Sequence, residues 1–177
     1  MAVAIESVGE TFAPRPSRGW FAPLMFAIFV FVPEIAVALF LLLLDSSFWP
    51  LSLLMLVLAL ALAIPLLLLA LWFPTMRYVV TADTLHLRYG PINWRVPLAS
   101  ITGMEWRDLG YANVKTVRTP SLALGNIRYV DPDVGWVKMC ATSPHKRVLL
   151  IEAGGKKYGV TPQDEEGFVA AIRPSDF

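Results

Sequence analysis

The chain has 177 residues, of which 56% are hydrophobic, and a formal net charge of +1. From residue 74 onward there are 13 basic and 10 acidic residues, an excess too small for a nucleic-acid-binding surface. Cys140 is the only cysteine, which excludes an intramolecular disulfide and fits a reducing compartment.

The N-terminal segment Met1–Gly19 is unlike a cleavable signal peptide. It contains Glu6 and Glu10, has no apolar core, and carries Pro14 and Pro16 near its end. Its apolar content is too low for it to fold by itself, so we predict an N-terminal cytoplasmic tail over residues 1–19.

Two long apolar stretches follow, Trp20–Leu44 and Leu51–Phe73, separated by the six residues Asp45–Pro50. A bilayer core of roughly 30 Å is crossed by about 20 apolar residues in a helix. Since hydrocarbon tolerates no unpaired backbone, the pattern predicts a transmembrane helical hairpin over residues 20–73. Small residues at Ala59, Ala61, Ala63 and Ala70 predict close packing of the second helix on the first.

The charges beside the hairpin predict its orientation. Arg15 and Arg18 precede the first helix and Arg77 follows the second, whereas the turn contains Asp45 and no basic residue. Because basic residues stay on the cytoplasmic side, we expect both termini in the cytoplasm.

Glu34 is the one ionisable residue in the middle of the hairpin, beside Pro33. An acid at this depth costs about 2.5 kcal/mol or more to insert. We expect it to bond a carbonyl freed by Pro33 or Pro65, or to contact a partner protein. A proton or ion pathway is the alternative, and it requires several copies of Glu34 to come together. Neither helix contains histidine, which argues against haem or pigment ligation.

After Pro74 the periodicity changes to the alternation typical of strands. Between the fourth and fifth predicted strands, Asp108–Thr119 is predicted as an exposed loop, and the strands that follow are predicted to form a meander. Thr161 and Pro162 are the expected N-cap and first residue of a C-terminal helix with Phe168 on its apolar face. The predicted strands are Met76–Thr81, Thr84–Tyr89, Ile92–Pro97, Ala99–Trp106, Ser121–Tyr129, Gly135–Thr142, Arg147–Ala153 and Lys156–Val160.

Two runs carry a resemblance to a family. The segment Arg77–Leu85 with Val96–Ile101, and the segment Val148–Glu152 with Lys157–Val169, resemble the opening and closing parts of bacterial pleckstrin-homology (PH) domains. The resemblance implies a mainly-β PH-like barrel with one C-terminal helix over residues 74–177, anchored in a bacterial inner (cytoplasmic) membrane by two preceding helices. It implies no lipid site at the first hairpin, whose turn, Ala82-Asp83, has no basic residue.

This sequence contains no group of residues that is a candidate for catalysis. His86 and His145 are isolated and are interpreted as surface residues, and Cys140 as a buried hydrophobic residue. We therefore expect a protein that is not an enzyme, with no cofactor, no metal and no small-molecule substrate.

The function predicted from these observations is that of a membrane-anchored PH-like scaffold. Its expected partners are the bilayer and other membrane-protein subunits, as in an accessory subunit of a respiratory or photosynthetic type of inner-membrane complex, with Glu34 as a possible contact. The alternative is a lipid-sensing module that meets anionic headgroups through Lys146, Arg147, Lys156 and Lys157, which we expect to lie on paired strands.

Overall fold

The computed structural model of the protein describes residues 9–110, 112–114, 117–119 and 121–172. The chain forms two compact units. One consists of residues Arg18–Phe73, and the other combines Met1–Ser17 with Pro74–Phe177. The remaining residues of the predicted N-terminal tail, of the predicted loop and of the C-terminus lie outside the described part of the chain.

The first unit is a pair of long helices, α1 (Phe21–Leu44) and α2 (Trp49–Trp72). A short 3₁₀ turn, Ser46–Phe48, connects them, and the Asp45 carboxylate accepts a hydrogen bond of 2.8 Å from the backbone N–H of Ser47. Both helices are long and apolar enough to cross a membrane.

The side chains of this unit are mostly exposed, unlike those of a core helix in a soluble protein. Phe29 is 77% exposed and Leu43 is 86% exposed. Between the two helices the packing surface is made of small residues: Ala59 and Ala63 of α2 are buried, as is Ala27 of α1. The prediction of a close alanine face is thus confirmed at these two positions of α2, whereas Ala61 is exposed and Ala70 half-buried.

The second unit begins with a four-stranded antiparallel sheet. Its strands lie in chain order, and its inner face carries the buried side chains of Tyr78, Leu85 and Leu87. The strands are β1 (Glu10–Phe12), β2 (Arg77–Val80), β3 (Thr84–Tyr89) and β4 (Ile92–Pro97).

A seven-stranded sheet follows, in the order β5-β10-β11-β9-β8-β6, with β7 also paired to β8. All neighbours are antiparallel except β9 and β11, which are parallel. The strands are β5 (Ile101–Arg107), β6 (Ala112–Val114), β7 (Val117–Thr119), β8 (Leu122–Tyr129), β9 (Trp136–Ala141), β10 (Val148–Ala153) and β11 (Lys156–Val160).

Two predictions about this sheet are wrong. The segment Asp108–Thr119 is not simply an exposed loop, because β6 and β7 both pair with β8 and Leu109 is buried. The meander is broken because β11 lies between β9 and β10. The connection from β9 to β10 passes over one strand position, and left-handed backbone at Ser143 and Arg147 turns the chain there. Alternation identifies strands without identifying their neighbours.

The C-terminal helix α3 (Glu165–Ile172) begins later than predicted. Its N-cap is Asp164, whose carboxylate accepts the N–H of Gly167 at 2.9 Å. Thr161 does not cap the helix, because its hydroxyl is buried and accepts the N–H of Thr142 at 2.9 Å. Phe168 is fully buried on the predicted apolar face.

The N-terminal segment, residues 9–17, is an integral part of this unit and precedes the hairpin in the chain. Strand β1 adds to the free edge of β2. Beyond it, the N–H of Arg15 donates to the carbonyl of Thr161 at 2.8 Å, and the N–H of Gln163 donates to that of Ala13 at 2.9 Å. The guanidinium of Arg15 also lies 2.8 Å from a carboxylate oxygen of Glu165. The unit is therefore assembled from segments on both sides of the hairpin.

Phe12 anchors the N-terminal segment in the core, and its replacement by alanine is expected to destabilise this unit. Its ring lies 5.3 Å from the ring of Phe168 in an edge-to-face arrangement, and only 6% of its surface is exposed. We expect Phe12→Ala to lower the free energy of unfolding by about 3 kcal/mol. Urea titration in mild detergent, followed by tryptophan fluorescence, measures this loss.

The matched control is Thr11→Ala, because Thr11 is exposed on the same strand. The control should stay within about 0.5 kcal/mol of the unmodified protein. Equal effects of the two substitutions would contradict the buried position of Phe12.

Candidate functional site

The four basic residues predicted to contact anionic lipid do not form one site. Lys146 and Arg147 precede β10, whereas Lys156 and Lys157 begin β11 and pair with Ala153 and Glu152 at the other end of the same hairpin. A strand of this length separates the two pairs by about 16 Å. The predicted pairing of the two strands is confirmed, but it holds the two basic pairs apart.

Two of these four residues already have acidic partners within the protein. Arg147 forms an ion pair with Glu165, and its guanidinium lies 5.8 Å from the centre of the Trp106 ring. Lys157 lies 3.2 Å from the carboxylate of Glu152. Lys146 and Lys156 are exposed and form no ion pair with the residues that the structure describes.

An open cleft of about 700 Å³ lies beside the start of α3. Trp106 and Arg147 line one part of it, and Asp164, Glu165 and Glu166 line the other. Glu165 is engaged by both Arg15 and Arg147, and Asp164 caps the helix. These charged groups thus form ion pairs with one another or cap the helix. The fold by itself therefore accounts for the cleft.

Glu34 lies half-buried on α1 and has no ion-pair partner among the described residues. A cavity of about 330 Å³ between α1 and α2 is lined by Ser52, whose buried hydroxyl has no hydrogen-bond partner among the residues that the structure describes, and Glu34 does not line it. The hairpin thus brings no second polar group to Glu34 within the described residues. The proposed partner contact and the alternative ion pathway through Glu34 both stay predictions.

A small apolar surface lies at the end of the β8–β9 hairpin, and sequence reasoning missed it. We call it the apolar tip, defined by Val130 and Trp136. These side chains are 65% and 48% exposed, and no other large hydrophobic side chain is exposed in the described part of their unit.

A tight turn connects these two residues. The N–H of Tyr129 donates to the carbonyl of Gly135 at 2.8 Å, and Gly135 has a left-handed backbone with φ of 62°. Val134 points into the core instead and is 3% exposed. In the sequence, Val130 and Trp136 resemble ordinary strand residues, and only their positions around Asp131-Pro132-Asp133 indicate the end of a hairpin.

The side chains of the kinds that take part in catalysis are dispersed over the described residues or buried. Among the described residues, no group of three or more His, Cys, Asp or Glu side chains can hold a metal ion. His86 lies on β3 and His145 lies in the turn before β10. Cys140 is 1% exposed, and this burial raises the pKa of its thiol to about 12. Burial also raises the pKa of the Tyr78 hydroxyl, which donates to the carbonyl of Cys140 at 2.7 Å.

Comparison with known proteins identifies the class of this domain. The family model described as bacterial PH domain matches residues 76–175, more than half of the chain. The chain therefore belongs to the bacterial PH domain family, as the resemblance in its sequence predicted, and the fold of two sheets with a C-terminal helix agrees with this. No curated protein and no solved structure matches the chain.

The raised pKa of Cys140 predicts a loss of stability at alkaline pH. In the unfolded chain the thiol ionises near its ordinary pKa of 9.0, while in the folded protein it stays protonated up to about pH 12. The free energy of unfolding should therefore be unaffected by this group below pH 9 and fall between pH 9 and 12, by at most about 1.4 kcal/mol per pH unit. Urea titrations at a series of pH values measure this slope.

The variant Cys140→Ala removes the ionising thiol and should flatten the slope between pH 9 and 10. Above pH 10 both proteins should lose stability, because burial also raises the pKa of Tyr89 to about 12. An unchanged slope in Cys140→Ala would show that the thiol does not contribute.

Proposed function

We propose that this protein is a membrane-anchored docking module without enzymatic activity, and that it acts as an accessory subunit of a larger membrane-protein complex. The family assignment supports a non-catalytic binding role. The two candidate membrane spans support the anchored arrangement. The side of the membrane that we propose for the PH domain is the cytoplasmic side, on the evidence of Arg15, Arg18 and Arg77.

The observation that carries the docking role is the apolar tip. Exposed tryptophan side chains are among the commonest energetic centres of protein interfaces. Trp136 is paired across the hairpin with Arg128, another residue type that interfaces favour. In this unit the other large apolar side chains that the structure describes are at least partly covered, so the tip is the best-supported place for a partner protein.

Both connections between the domain and the helical hairpin are short. The last described contact of the N-terminal segment is a 2.8 Å hydrogen bond from the Ser17 hydroxyl to the carbonyl of Ser121, and α1 begins at Phe21. On the other side, α2 ends at Trp72 and β2 begins at Arg77. Each connection contains only three or four residues, which reach about 14 Å at most.

The same construction supports a common side for the two ends of the hairpin. Residues 9–17 and residues 76–172 pack into one domain, so a two-span anchor requires both connections to lie on one side of the bilayer. This agrees with the expected cytoplasmic location of both termini.

Mild-detergent extraction of the tagged full-length protein from its native membranes tests the proposal. We expect a defined set of membrane proteins to co-purify in constant proportion, and Trp136→Ser to lower their recovery. The loss of one interface tryptophan should weaken binding by about 30-fold or more. Recoveries are measured by quantitative mass spectrometry at equal bait.

The variant Trp136→Phe is the matched control because it keeps a large aromatic side chain at the tip. It should retain most of the partner. If the unmodified protein is recovered alone or with lipid only, the accessory-subunit role is wrong. If Trp136→Ser recovers the same partners as the unmodified protein, the docking surface lies elsewhere than the tip.

A further inference from the structure

The cavity of about 330 Å³ between α1 and α2 lies in the half of the hairpin that is nearest to its turn. Its walls come from residues 35–42 of α1 and residues 49–56 of α2. Pockets that bind small molecules have volumes of about 300–1,000 Å³ and mainly apolar walls. The cavity is therefore large enough for part of a small apolar ligand.

The cavity opens toward the surroundings of the two helices. Leu39, Leu42 and Leu53 line it, and each of these side chains is also exposed. Nearer to the other end of the hairpin, Ala27 and Ala63 are buried and the helices pack on small side chains. In a bilayer, the neighbours of the exposed leucines are the hydrocarbon chains of lipids, so such a chain has direct access to the cavity.

Ser52 is the only residue with a hydroxyl among those that line the cavity, and it is 4% exposed. The other side chains of the lining are apolar except for the indole N–H of Trp49. The Ser52 hydroxyl has no hydrogen-bond partner among the residues that the structure describes. Neither water nor hydrocarbon supplies the missing bond at this place, and an unpaired hydroxyl in an apolar environment is unfavourable. A ligand with an acceptor oxygen removes this cost.

The depth of Ser52 in a bilayer follows from the length of α2. The 24 residues of this helix extend for about 36 Å, whereas the hydrocarbon core is about 30 Å thick. A centred helix perpendicular to the membrane therefore projects by about 3 Å at each end. Ser52 comes three residues after Trp49, the first residue of α2, which is about 4.5 Å along the axis. Its hydroxyl thus lies close to the boundary between hydrocarbon and headgroups.

The size of the cavity favours a single hydrocarbon chain over a helix of another protein. A sphere of the same volume is about 9 Å across, whereas a helix with its side chains is about 10–12 Å wide. A partner helix is too wide to enter the cavity and can only cover its opening. An acyl chain is a single file of methylene groups and can enter.

We propose that the cavity binds one acyl chain of a glycerolipid, and that the ester carbonyl of this chain accepts a hydrogen bond from the Ser52 hydroxyl. The ester groups of a glycerolipid lie between the headgroups and the hydrocarbon, at the depth of Ser52. The chain itself fills the apolar part of the cavity. This site is separate from the apolar tip and goes beyond the docking role, and it requires only that the two candidate spans lie in a membrane.

The test compares two phosphatidylcholines that differ only in how their chains are linked to glycerol. One has ester-linked chains, and the other has ether-linked chains of the same length and therefore no carbonyl. The headgroup is the same, so recognition of a headgroup affects both lipids equally. The full-length protein is purified in a neutral detergent and depleted of lipid, each lipid is titrated in, and native mass spectrometry measures the lipid-bound fraction.

We expect the unmodified protein to bind the ester lipid about tenfold more tightly than the ether lipid, because the ether lipid leaves the Ser52 hydroxyl without its carbonyl partner. Ser52→Ala should remove this preference. Without lipid, this variant should unfold at the same temperature as the unmodified protein or higher, since it lacks the unpaired hydroxyl. Ser52→Leu also fills part of the cavity and should weaken the binding of both lipids.

The matched control is Ser47→Ala, because Ser47 is exposed in the turn of the same hairpin and does not line the cavity. It should keep the preference for the ester lipid. A preference that is lost in Ser52→Ala and kept in Ser47→Ala supports the site.

Three results would overturn the proposal. The first is equal binding of the two lipids to the unmodified protein, which decides the question even if a variant does not fold. The second is a preference that persists in Ser52→Ala or is lost equally in Ser47→Ala. The third is a lipid-free dimer, which would show that a second copy of the chain covers the cavity.

Discussion

The packing of Phe168 is the contact on which the second unit depends. Its ring is fully buried and lies 5.3 Å from the ring of Phe12 and 5.6 Å from that of Tyr78. Tyr78 extends the contact to the second sheet, because its hydroxyl donates to the Cys140 carbonyl and accepts the N–H of Thr161 at 3.3 Å. One aromatic cluster thus joins the C-terminal helix, the N-terminal strand and both sheets.

This cluster joins the chain segment before the helical hairpin to the segment after it. Phe12 precedes the helical hairpin in the chain and Tyr78 follows it, yet their side chains share Phe168 as a neighbour. The domain therefore cannot complete its core from the segment after the hairpin alone. Folding of the PH domain requires the chain on both sides of the hairpin.

Charge is distributed unevenly over the same domain. Around α3 and on the second sheet, basic side chains contact acidic ones, as Arg147 contacts Glu165 and Lys157 contacts Glu152. On the outer face of the first sheet, Arg77 and Arg88 oppose each other without a described acidic neighbour. A net charge of +1 for the whole chain conceals this difference, because it averages the neutralised and the uncompensated surfaces.

The sequence was sufficient to predict the features that depend on local patterns. The two apolar helices, the strands from Arg77 to Pro97 and the buried face of α3 follow from hydrophobic periodicity, and the family was recognisable from short runs of residues. Features that depend on distant segments were not predictable. The polar N-terminal segment gives no indication that Phe12 enters a core formed by residues 78 and 168, and Thr161 has the composition of an N-cap while serving as a buried partner of Thr142.

The composition of the candidate sites also depends on contacts between distant segments. The expected pairing of their strands favours a single cluster of Lys146, Arg147, Lys156 and Lys157. The register, however, places the two basic pairs at opposite ends of the hairpin. Arg77, Arg88 and Arg95 are far apart in the sequence pattern because they lie on three different strands, and only the pairing of these strands makes them neighbours. In both cases the register of the sheet, which sequence patterns do not specify, decides which charges meet.

Disulfide cross-linking between β1 and β2 in native membranes most directly tests the central claim that one domain is built from both sides of the hairpin. Thr11 and Val79 are partners in the register, so Thr11→Cys/Val79→Cys should form a disulfide under mild oxidation, detected as a linked peptide by mass spectrometry. Val79→Cys/His86→Cys, a pair within the β2–β3 hairpin, is the positive control. A linked peptide from both pairs is the predicted result, whereas cross-linking of the control pair alone would contradict the account.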